Sequence, residues 1–130
     1  QSKVCERSDI VITTAQLFGR PAPLLIDNNT IDKMNSGSVI FDMAVESGGN
    51  VEGSKVDDIV TRNGVKIIGI SNLASKVSNH ASLALSNNYN NWICDFFDQE
   101  NKKLNFDFED EIIQSSVLVY EGEIKNERFK

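Results

Sequence analysis

The apolar residues of this chain fall into three short runs separated by polar, turn-rich segments. Asp9–Thr14 (DIVITT), Ser38–Met43 (SVIFDM) and Lys66–Ile70 (KIIGI) are strand-length and rich in Val and Ile. Such runs suit strands buried on both faces, as in parallel sheets. Between the first two lies Asp27–Met34, with a capping Asp at its start and Gly37 beyond its end, which predicts a short helix. The unit therefore reads β-α-β with a right-handed parallel crossover. Asp58–Thr61 and Val65–Ile67 flank Arg62-Asn63-Gly64, and Asn-Gly predicts a hairpin that adds an antiparallel strand before the third run. Gln1–Arg7 reads as the tail of a helix and lacks an initiator Met, so the chain is expected to belong to something longer.

From Asn79 to Phe97 the period changes to that of a helix. Ala81, Leu85, Asn88, Trp92 and Phe96 share one face, and Ser78 is placed to cap it. Beyond it, Leu104–Phe108 alternates with period two and Ser116–Tyr120 follows before a Glu121-Gly122-Glu123 turn, which predicts two strands of a separate element.

Charge sharpens that division. The 130 residues carry a formal charge of -6, with one His and no basic cluster, which argues against nucleic acid as a partner. Residues 1–94 hold 8 basic and 9 acidic side chains, whereas residues 95–130 hold 5 and 10. A boundary is expected near residue 95, giving regions 1–95 and 96–130. No apolar run reaches the roughly 18 residues of a membrane span. Cys5 and Cys94 show no paired spacing and read as two free thiols in a reducing compartment.

The chemistry belongs at the ends of the three strands. They run into "TTAQLFGRPAP", "MAVESGGN" and "ISNLAS", irregular segments rich in Gly, Asn, Ser or Pro. In an open parallel sheet these carboxyl ends share the edge where ligands bind. Gly48-Gly49 permits positive φ or close approach to a ligand, or simply turns the chain. Asp42 and Glu46, four apart, suit an acid/base pair, a ribose-hydroxyl acceptor or two solvated carboxylates. Arg20 reads as solvated charge before a phosphate partner, and His80, at a helix start without clustered ligands, gives no metal site. No G-x-G-x-x-G occurs, so the phosphate-cradling turn is lacking. These residues alone lead to the second half of a nucleotide-binding α/β domain.

The stretches "SDIVITTAQLFGRPAPLLI", "MNSGSVIFDMAVESGGNVEGS" and "NGVKIIGISNLAS" resemble the alanine dehydrogenase/transhydrogenase family. Within it they are similar to the NAD(H)-binding domain of the proton-translocating NAD(P) transhydrogenase α subunit. It covers nearly the whole chain in order. The resemblance implies the second half of a Rossmann-like parallel sheet, a long helix, and a small C-terminal β element returning to a neighbouring domain. It implies that Thr13, Thr14, Ala15 and Gln16 line bound NAD(H), although family members usually carry an aliphatic residue at Gln16 and often Pro at Phe18. With Asp42, Glu46 and Asn72 at the neighbouring strand ends, these form the expected cofactor-binding set. No side chain is expected to be catalytic, because hydride passes directly to NADP(H) on a partner domain or β subunit. The resemblance further implies a homodimer with a membrane domain elsewhere, peripheral on the cytoplasmic or matrix face, and a fragment inactive alone. Two alternatives stay open. One is an alanine dehydrogenase-like enzyme, which uses a catalytic aspartate where this chain has Glu46; the other is a non-catalytic α/β interaction module.

Overall fold

A computed structural model describes residues 1–129. Two compact units emerge, Gln1–Ser78 and a second starting at Asn79. The division falls at the start of the long helix.

The first unit runs α1 (Ser2–Glu6), β1 (Ile10–Thr13), α2 (Asn28–Ile31), β2 (Val39–Asp42), β3 (Asp58–Arg62), β4 (Val65–Gly69) and α3 (Leu73–Lys76). Its sheet has the order β1-β2-β4-β3, with β1, β2 and β4 parallel and β3 antiparallel at one edge. The expected hairpin is present: Asn63 (φ 48°) and Gly64 (φ 79°) both adopt the left-handed backbone that a tight turn between twisted strands needs. Asp27 caps α2 by accepting from the Thr30 N–H at 2.9 Å. The regular helix stops at Ile31, and Met34 continues it only as a turn.

Register sorts the sheet into two faces. Val11, Ile40, Ile67 and Val60 align across the strands on one face. There they pack with Cys5, Ile26, Ile31, Met34, Val51 and Val65 into the core. Burying Ile40 or Ile67 stabilises the fold by roughly 1.5–3 kcal/mol each. The opposite face carries Ile10, Ile12 and Ile59, which are 68%, 61% and 58% exposed. The expectation of strands buried on both faces therefore holds for only one face of this sheet.

In the second unit, α4 (Ser78–Phe96) is followed by the hairpin of β5 (Phe97–Asp98) and β6 (Lys103–Leu104). Next come α5 (Glu111–Ser116) and the hairpin of β7 (Val119–Tyr120) and β8 (Glu123–Ile124). The expected five-residue strands over 104–108 and 116–120 shrink to two residues each. Asp107 turns the chain by accepting from the Glu109 N–H, and Asp110 caps α5 by accepting from Ile112 and Ile113. The period-two spacing of Phe106 and Phe108 serves instead to place both rings against Tyr120, at 5.0 and 5.3 Å between centroids. On α4 the apolar stripe is partial: Ala81, Trp92 and Phe96 are half-buried, while Leu85 is exposed.

Candidate functional site

The carboxyl ends of β1, β2 and β4 share one edge of the sheet, and a buried carboxylate organises it. Asp42, the last residue of β2, has no exposed surface. Its Oδ1 accepts from the Thr13 hydroxyl at 3.3 Å and from the Ala44 N–H at 3.0 Å. Its Oδ2 accepts from the Asn50 N–H at 2.9 Å, the Val51 N–H at 3.2 Å and the Ser54 hydroxyl at 2.7 Å. A charge can be buried when hydrogen bonds replace its water in this way. The segment after β2 must close tightly around it. Gly49, at φ 82°, makes that possible, because a Cβ there would lie 2.8 Å from Asp42 Oδ2.

Asn50 carries the organisation to the segment after β1. Its side chain is fully buried, accepts from the Ala15 N–H at 2.9 Å, and donates to the carbonyls of Ala15 at 2.9 Å and Pro23 at 2.8 Å. The Asn50 carbonyl accepts from Leu25 and Ile26 N–H, and Ala22 N–H donates to the Ser47 carbonyl. This lacing explains how a proline-containing loop leaves the edge strand β1 without fraying.

The segment after β4 joins the same edge. Asn72, with left-handed backbone at φ 49°, donates its N–H to Glu46 Oε2 at 2.7 Å. Ser71 donates its N–H and hydroxyl to the two oxygens of Asp57 at 2.8 and 2.7 Å. Those bonds, the backbone one foremost, hold the Asp57 carboxyl below the usual carboxylate range, helped by the charge of Lys76.

Beside β1 lies a depression of about 460 Å³, walled by Ile12, Thr13, Thr14, Ala15, Leu25 and Ile26 among others. A larger hollow of about 570 Å³ lies in the second unit among Phe108, Lys125, Asn126 and Arg128. Its Lys125 already pairs with Glu123 at 2.6 Å, and it borders no parallel strand end, so the candidate site is placed beside β1. The edge thus brings together Thr13, Thr14 and Ala15, while the exposed Gln16 lies outside the depression's wall. Glu46 and Asn72 meet each other instead. Asp42 is not the solvated carboxylate considered from the sequence, since both its oxygens are enclosed. Asn50 and Ser54 were absent from the expected set; the signal for Asn50 was its position directly after Gly48-Gly49, where the chain folds back on β2.

The alanine dehydrogenase/PNT C-terminal domain model matches residues 1–127. The chain belongs to this family. It is 42% identical over 125 residues to a NAD(P) transhydrogenase subunit alpha polypeptide of Rickettsia prowazekii, spanning 96% of this chain and 32% of that protein. It is 25% identical over 126 residues to alanine dehydrogenase 1 of Staphylococcus aureus, spanning 94% of this chain and 33% of that protein. The crystal structure of transhydrogenase from Sinorhizobium meliloti superposes with a TM-score of 0.71 at 32% identity, covering 98% of this chain and 35% of that one. The chain therefore spans about a third of the length of each of these three relatives.

Proposed function

We propose that this chain belongs to the NAD(H)-binding component of a NAD(P) transhydrogenase. Hydride passes directly between NAD(H) here and NADP(H) on a partner domain or subunit, coupled to proton translocation in a membrane domain. The observation that carries the reading is the depression walled by Thr13, Thr14 and Ala15 at the carboxyl end of a parallel strand, where α/β sheets take their ligands. Greater likeness to the transhydrogenase subunit than to alanine dehydrogenase favours the reaction, as does Glu46 where the latter uses aspartate.

The residues fit the cofactor incompletely. The wall of the depression is apolar and uncharged apart from hydroxyl, amide and backbone groups, which suits a flat ring and sugar. Among the described residues no cationic side chain lines it, so the pyrophosphate is assigned to a glycine turn supplied by another segment of the protein. When bound, NAD(H) supplies the hydride chemistry. The chain's task is positional. Thr13, Thr14 and Ala15 flank the ring, Gln16 follows just outside the depression's wall, Glu46 and Asn72 close the neighbouring strand ends, and Asp42 holds the edge from beneath. We assign region 1–95 to the nucleotide domain and 96–130 to packing on a neighbouring one. The assembly is a homodimer, peripheral on the cytoplasmic or matrix face. Among the described residues no helix is long and apolar enough to cross a membrane.

The test is isotopic. With the full-length protein and its NADP(H)-binding partner, deuterium at the nicotinamide C4 of NADH should appear in NADPH without exchange into water. Deuterium found in alanine when pyruvate and ammonium are supplied would support the dehydrogenase reading instead.

A further inference from the structure

We propose that Asn50, anchored by Asp42, is a positioning residue that presets the Ala15 peptide against the dinucleotide; the inference rests on the nucleotide reading above. The side-chain amide of Asn50 pairs with one residue through two bonds, accepting from the Ala15 N–H and donating to the Ala15 carbonyl, each at 2.9 Å. A residue of an antiparallel strand would take both groups in this way, so the amide stands in for a strand partner where the parallel β1–β2 ladder has ended. Its remaining amide hydrogen goes to the Pro23 carbonyl at 2.8 Å, which ties the far side of the proline loop to the same point.

The anchor is as closely specified as the contact. The Asn50 N–H is held by Asp42 Oδ2, which also takes the Val51 N–H and the Ser54 hydroxyl. Neither Asn50 nor Asp42 has exposed surface. Ala15 stands in the wall of the depression with its N–H and carbonyl both engaged. Its N–H is therefore not a donor to the ligand. Its fixed orientation instead sets where Thr14 and Gln16 stand on either side. A loop ordered before binding loses less entropy when the ligand arrives and binds it more tightly. Asp42 thereby acts on the cofactor through Asn50 rather than by contact.

The experiment uses the full-length protein and NADH fluorescence titration, well below the unfolding onset of each variant. Asn50→Ala removes all three side-chain bonds, and about tenfold weaker NADH binding is expected, the equivalent of one net hydrogen bond of roughly 1.4 kcal/mol. Asn50→Asp keeps the acceptor for Ala15 N–H but sets a carboxylate against two carbonyls, and weakens binding as well. Ser54→Ala removes one donor from Asp42 and loosens Asn50 less, giving a few-fold loss. A purely structural Asn50 lowers the unfolding temperature while the folded variant binds NADH as the parent does; that result overturns the inference. If Asn50→Ala does not fold, Ser54→Ala decides by the same comparison, unchanged affinity again overturning it. A parent protein that does not bind NADH overturns the nucleotide reading itself, and the inference with it.

Discussion

The backbone N–H of Asn72 donates to Glu46 Oε2 at 2.7 Å, so the segment after β2 holds the segment after β4. Glu46 is exposed, and its carboxylate satisfies a backbone donor at the start of the four-residue α3. That role needs an acceptor oxygen and no titratable proton. On the proposed function, Glu46→Gln should therefore keep hydride transfer by the full-length protein with its partner within about threefold, whereas loss of a general acid or base costs roughly 10²–10⁴. Steady-state rates of the two proteins decide between them.

Two glycines in the segment after β2 should respond differently to the same change. Gly49 and Gly53 both have positive φ, 82° and 81°. An added Cβ meets Ser54 Oγ at 2.6 Å and Asp42 Oδ2 at 2.8 Å at Gly49, but no described atom within 4 Å at Gly53. Gly53→Ala should cost only the backbone strain, about 1–2 kcal/mol. Gly49→Ala must also displace the carboxylate network and should cost more than about 3 kcal/mol. Urea unfolding of both variants measures the gap.

Ile40 lies at the centre of the sheet with no exposed surface, between Val11 of β1 and Ile67 of β4. Ile40→Val should lower stability by about 0.5–1.5 kcal/mol and Ile40→Ala by about 2–5 kcal/mol, because the cavity cannot collapse between two paired strands. Chemical denaturation of the two variants checks the ratio.

Asp57 gives a pH prediction whose sign is fixed by its hydrogen bonds. Ser71 lowers the folded-state carboxyl pKa below its unfolded value. The stabilisation is therefore fully present above the unfolded pKa and is lost as pH falls through the lowered folded one. Carboxyl NMR should show Asp57 titrating below the ordinary range, and Ser71→Ala should move it some of the way back.

The sheet was legible because its signals are local. Three Val/Ile runs, an Asn-Gly turn and an Asp cap each act over a few residues, and all reappear in the structure. The Asp42–Asn50 clamp was not legible, because it depends on the chain folding back through Gly48 and Gly49. From sequence, Asp42 and Glu46 look like equivalent carboxylates; the pleat turns Asp42 inward, and the turn over Val45–Ser47 leaves Glu46 outside. Leu104–Phe108 misled for the opposite reason. Its alternation is real, but it arranges rings around Tyr120 rather than a ladder, while Asp110 begins a helix whose capping signal stood in plain view.

On the proposed function, the edge beside Thr13, Thr14 and Ala15 takes NAD(H). Parallel fluorescence titrations of the full-length protein with NADH and with NADPH decide whether it does. Saturable NADH binding with negligible NADPH binding, weakened by Asn50→Ala, is expected. Binding of neither nucleotide would contradict it and leave an α/β interaction module in its place.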